Sequence, residues 1–167
     1  HGYPPPANGS PGAFAGGAPG GCFDRFYGFL DAETDHYSPE LVRDNSHIQA
    51  PGTFETGYHL TEDLFDQAIG YIKGHIAASP QTPWFLMLTP GACHAPHQAP
   101  KPLIDKYDAL FAKGWDQCRE DRLARQIAMG IVPNGTQLPP RNDNVKAWAE
   151  HGSDEQRVFA RLAGAYA

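Results

Sequence analysis

The sequence has 167 residues, 41% hydrophobic and 19% charged, with a formal net charge of −6 and a pI near 5.7. That is chain enough for one modest domain with a real core. An acidic balance with 13 scattered basic residues argues against nucleic acid as a partner, and no apolar run approaches the length of a membrane span.

Residues 1–21 carry twelve Gly or Pro, so they predict a flexible tail or a long loop rather than a helix or strand. At Cys22 the character changes. Phe23, Phe26, Tyr27 and Phe29 cluster around Asp24 and Arg25, and the polar stretch that follows is turn-rich. Residues 23–57 read as mostly loop with short extended pieces. Residues 61–79 are the clearest helix. Thr61 suits the N-cap, Glu62 and Asp63 favour the first turn, and Phe65, Ile69, Ile72 and Ile76 predict one buried stripe.

Trp84 to Leu88 is continuously apolar with a proline on either side, the pattern of a strand over 84–89 buried on both faces in a parallel sheet. A helix followed by such a strand is half of a βαβ unit and sets the fold class as α/β. Residues 102–112 and 114–130 predict helices, the second with Trp115, Cys118, Leu123, Ile127 and Met129 roughly on one face. A proline-broken connector follows. Residues 154–167 predict a final helix with Val158, Leu162 and Tyr166 on one side.

The loop after the predicted strand reads GACHAPHQAPK, residues 91–101. In open α/β sheets ligands bind beyond the carboxyl ends of the strands, which puts His94 and His97 where chemistry usually sits. Pro96 and Pro100 stiffen the loop, as a catalytic imidazole requires. Two plainer readings stand beside this: solvated or hydrogen-bonded histidines without a catalytic role, or the start of a zinc site from His94, His97 and Cys93. The zinc reading lacks a second ligand cluster at suitable spacing, and Pro96 keeps the two histidines off a shared helical face.

The same loop resembles the G-A-x-H-A-P-H-x-x-P motif of bacterial arylsulfatase-like members of the sulfatase family, within the alkaline phosphatase superfamily. The likeness extends along the chain. CFDRFYGFLDAETD at 22–35 resembles the family's GFDRFYGFLGGETD, with Cys22, Asp31 and Ala32 in place of glycines. Tyr37, Pro39, Glu40, Leu41, Val42, Asp44 and Asn45 fit Y-x-P-E-L-V-x-D-N, and GYHLTEDL stands unchanged at 57–64. GWD at Gly114, RQ at Arg125, GIVP at Gly130 and LPPRN at Leu138 continue it in order, so the resemblance covers about residues 22–165 while 1–21 fit poorly.

The resemblance implies part of an alkaline-phosphatase-like α/β sandwich with a central, mostly parallel sheet. It implies hydrolysis of sulfate esters, aryl sulfates foremost, with a formylglycine nucleophile and calcium. His97 would contact sulfate and the leaving-group oxygen. His94 and Lys101 would bind the substrate, and His1, the second catalytic candidate, would stand for the sulfate-contacting histidine of the family's G-K-W-H motif. The family's C-x-P-S-R nucleophile motif is not matched at Cys22, Cys93 or Cys118, and no metal ligands are recognised. The chain therefore reads as an internal slice of a catalytic domain, inactive alone, with nucleophile and calcium ligands outside it. A phosphonate or phosphate ester hydrolase of the same superfamily and a non-catalytic, sulfatase-like remnant are the alternatives. Three cysteines without paired spacing and no signal pattern lean towards the cytoplasm, with the periplasm as the alternative.

Overall fold

The computed structural model describes residues 23–167, which fall into two compact units meeting in sequence between Gln98 and Ala99. Residues 1–21, with His1, lie outside the described residues, as does Cys22.

In the first unit the described residues pair a small sheet with a long helix. Strands β1 (Tyr27–Gly28), β2 (Leu41–Arg43) and β3 (Ser46–Ile48) form an antiparallel sheet in the order β1-β2-β3. The β2–β3 hairpin registers Arg43 with Ser46, leaving Asp44 and Asn45 as its two-residue turn. Asp44 takes a left-handed φ of 54°, a conformation that Asp tolerates in such turns. Its carboxylate Oδ1 accepts from the Phe26 N–H at 2.9 Å, and its own N–H donates to the Phe26 carbonyl at 2.9 Å. The turn is thus tied to the chain entering β1.

Helix α1 spans Leu60–Ala78. Its N-cap is His59 rather than the expected Thr61: the Thr61 N–H donates to His59 Nδ1 at 3.3 Å. The buried face also differs from expectation. Leu60, Asp63, Leu64 and Ala68 point inward, whereas Phe65, Ile69 and Ile76 are exposed and Ile72 is half-buried. Leu60, Leu64 and Leu41 form the core, with Tyr27, Phe29, Ile48, Ala50 and Leu88 packed around it.

The expected strand at 84–89 is not formed, and no parallel sheet occurs among the described residues. The segment carries no assigned secondary structure, and Phe85 is 77% and Met87 63% exposed. The reason is physical. A strand exists only where a neighbour supplies the ladder of hydrogen bonds, and no described segment pairs with it. Only Leu88, at its end, reaches the core.

The second unit is helical. It holds α2 (Lys101–Asp105), α3 (Asp108–Phe111), α4 (Gly114–Ala128) and α5 (Ser153–Tyr166). The expected helix 102–112 is split between α2 and α3. Arg161 of α5 joins them, donating to Asp108 at 2.8 Å and pairing with Asp105. Trp115 meets Trp148, His151 and Phe159 ring to ring, at centroid distances of 4.8, 5.2 and 5.7 Å. In α5 the buried residues are Ala160 and Gly164, not the expected Val158, Leu162 and Tyr166, which are exposed. A close approach selects Gly164, where an added Cβ would lie 3.2 Å from the Ile104 carbonyl.

Candidate functional site

The site candidate is the loop 91–98, held at both ends. At its start, a Cβ on Gly91 would lie 3.3 Å from His36 Nε2 and 3.4 Å from the Phe29 ring, so the backbone passes close over both side chains. At its end, the Gln98 side chain is gripped by residues more than sixty positions earlier. Its Oε1 accepts from the His36 N–H at 2.8 Å, and its Nε2 donates to Asp35 Oδ2 at 2.7 Å. The Gln98 carbonyl lies 3.3 Å from His59 Nε2. Since His59 Nδ1 accepts from Thr61, Nε2 carries the hydrogen and donates to Gln98.

These anchors are themselves fixed. Asp35 Oδ1 accepts from the N–H groups of Tyr37 and Ser38, each at 2.8 Å. The Gln98 hydrogen bond, with those two backbone donors, holds the Asp35 carboxyl below the usual carboxylate range. His36 is only 3% exposed, and its Nδ1 has no hydrogen-bond partner among the described residues. Burial, and then the nearby His59, pushes its imidazole below the ordinary histidine value, so it sits neutral beneath the loop. Its carbonyl accepts from Leu60 N–H at 2.8 Å, which ties it to the first turn of α1. Further along α1, buried Asp63 accepts from the Tyr27 and Tyr58 hydroxyls at 2.6 and 2.9 Å. Burial first, and the bond to Asp63 second, raise both phenols, which keeps them protonated donors.

Between its anchors the loop is exposed. The His94 N–H donates to the Gly91 carbonyl at 3.1 Å, Cys93 takes a left-handed φ of 68°, and the Ala95–Pro96 peptide is cis. His94 Nδ1 lies 2.8 Å from the Ala95 carbonyl and 3.3 Å from Glu33 Oε2. Both are acceptors, so Nδ1 is the donor and Nε2 is the nitrogen left for a bound group. His97, adjacent to the clamped Gln98, is exposed. Lys101 opens α2 in the second unit, where its ammonium pairs with Asp105 at 2.5 Å.

The sequence singles out the loop and its two imidazoles but not the residues that hold it, Asp35, His36, His59 and Gln98. His59 lay inside the GYHLTEDL string and His36 just before Tyr37, yet nothing local marks either as a support for residues 91–98.

Among the described residues, no three His, Cys, Asp or Glu side chains come together as a metal site. Cys93 is exposed and Cys118 half-buried on α4, its Sγ 3.5 Å from the Leu110 carbonyl. Neither has a proline two positions on. The described residues therefore do not fit the calcium or the formylglycine that the resemblance implies.

The first unit, with its small sheet and long helix, carries two imidazoles on a loop whose Gln98 end is hydrogen-bonded to Asp35, His36 and His59. The sulfatase family model matches residues 3–162, and the chain belongs to that hydrolase family. It is 24% identical over 157 residues to an arylsulfatase of Klebsiella aerogenes, across 87% of this chain and 32% of that protein. It is 30% identical over 115 residues to an uncharacterized sulfatase of Schizosaccharomyces pombe, across 68% of this chain and 20% of that protein. The chain thus spans a third or less of the length of these relatives.

Proposed function

We propose that the chain is part of a sulfate ester hydrolase, with small aryl sulfates as substrates, and that the loop 91–98 supplies its proton donor. The observation that carries this reading is the double anchorage of the loop, at Gly91 against His36 and at Gln98 against Asp35, His36 and His59. When the S–O bond to the leaving group breaks, negative charge collects on the departing oxygen. An imidazole N–H held in place there stabilises that charge and passes its proton to the oxygen. His97 is assigned this contact with sulfate and the leaving oxygen. His94 shares the task only in its doubly protonated form, with Nδ1–H held by Ala95 and Glu33 and Nε2–H left to meet the oxygen. His1 and Lys101 remain candidate contacts. Lys101 would have to leave Asp105 to reach an anion.

The formylglycine nucleophile and calcium belong, in this reading, to parts of the intact protein outside the described residues. So does the central, mostly parallel sheet of an alkaline-phosphatase-like sandwich. The apolar run Trp84 to Leu88, with Trp84, Phe85 and Met87 exposed, is the segment it would take in.

Turnover of a chromogenic aryl sulfate by the intact protein tests the proposal. His97→Ala and His94→Ala are each expected to lower kcat by about 10²-fold or more, as loss of a positioned acid does. Absence of turnover, equal preference for the matching phosphate ester, or full activity in both variants would overturn it.

A further inference from the structure

We infer that Gln98 is the positioning residue of the site: it sets where His94 and His97 stand by locking the loop to Asp35 and His36. The inference rests on the reading of those imidazoles as the reacting groups, but the lock can be measured without it.

The Gln98 amide is read at both ends. Its oxygen meets a donor, the His36 N–H, and its nitrogen meets an acceptor, Asp35 Oδ2. An amide satisfies both without a change of protonation. A carboxylate at position 98 would face the Asp35 carboxylate, and an apolar side chain would leave the His36 N–H and Asp35 Oδ2 without these partners. Asp35 cannot swing away to accommodate a misfit, because its other oxygen holds the Tyr37 and Ser38 N–H groups. The lock is also local to the chemistry: His97 directly precedes Gln98. The other end of the loop lies over the same His36, through Gly91. Residues 35 and 36 thus set both ends of the segment 91–98 that carries both imidazoles. A displacement of about 1 Å in a reacting group costs on the order of 10²-fold in rate.

The pairing can be inverted. In Gln98→Glu the two carboxylates repel. The double variant Asp35→Asn with Gln98→Glu exchanges the two side-chain types. The amide now at position 35 donates where a carboxylate accepted, and its oxygen still takes the Tyr37 and Ser38 N–H groups. The carboxylate now at position 98 still accepts from the His36 N–H. In the intact protein, Gln98→Glu is expected to raise amide hydrogen exchange in residues 91–98 at least tenfold. It should also lower kcat for an aryl sulfate by about 10²-fold with a smaller change in KM. The double variant should restore both. Gln98→Leu is a second route to the open loop should Gln98→Glu fold poorly, with exchange across α1 as the check on global stability. Unchanged exchange in residues 91–98 would overturn the lock. Raised exchange with unchanged kcat would overturn positioning. An unmodified protein that turns over no aryl sulfate would sink the proposed function instead, with the exchange data alone then deciding the lock.

Discussion

The Tyr27 hydroxyl donates to Asp63 Oδ2 at 2.6 Å, joining strand β1 to helix α1 across 36 positions of sequence. Tyr58 donates to the same oxygen at 2.9 Å, and Gln67 Nε2 to the other at 3.3 Å. A buried carboxylate is tolerated only when its lone pairs are met, and here each oxygen has a donor.

Tyr58→Phe removes one of those donors from a buried charge while keeping the ring. Urea unfolding should show a loss of about 1–3 kcal/mol, the usual cost of leaving a buried polar group short of a partner. Asp63→Ala should cost at least as much, since it strands two hydroxyls.

Acid should act through His36. Its imidazole is held below the usual histidine value, so the unfolded chain binds a proton that the folded chain refuses. The stability it contributes is complete above about pH 6.5 and is lost as pH falls below that, at no more than about 1.4 kcal/mol per pH unit. Asp35, held below its own ordinary value of 3.8, titrates lower and does not share this window. Melting temperatures between about pH 7.5 and 5 should fall, and His36→Gln should flatten the slope.

In the second unit the sensitive glycine is Gly114, which opens α4 at φ 82° and lies directly under the Trp148 indole. Gly114→Ala meets two obstacles, a left-handed backbone and an indole with no room for a methyl group. The expected cost is about 2 kcal/mol or more, with a shift in tryptophan emission as Trp148 moves off Trp115. Gly130→Ala is the control, with φ 70° and open space around its Cβ. It should lose only the backbone part, about 1 kcal/mol.

Phe85→Lys separates the proposed sheet from the structure described. At 77% exposure, Phe85 should cost the 167-residue chain little when replaced. In the intact protein the same change should destabilise by about 2 kcal/mol or more, because a charge would enter a packed layer. Denaturant midpoints of the two chains, with and without the substitution, make the comparison.

Helix α1 was legible in the sequence because nineteen residues of apolar periodicity outweigh local accidents. Its buried side was not. Phe65, Ile69 and Ile76 are larger and more apolar than Ala68, so hydrophobicity points to them, while the core chose the face led by Leu60 and Leu64. Trp84 to Leu88 carries the composition of a central strand, but composition cannot supply the neighbouring backbone that a strand requires. The three strands among the described residues are two or three residues long, too short for alternation to show. The loop could be read because two imidazoles between prolines stand out. Gln98 could not be, because its partners at positions 35, 36 and 59 are brought to it only by the fold.

That distance bears on the order of assembly. Joining His36 to Gln98 closes a span of 62 residues, and ring closure of that length costs entropy on the order of a few kcal/mol before any bond repays it. The hairpin and α1 need no such closure and can form first. The histidine-bearing segment would then settle after the hairpin and α1, so its two imidazoles take their places only once that span has closed.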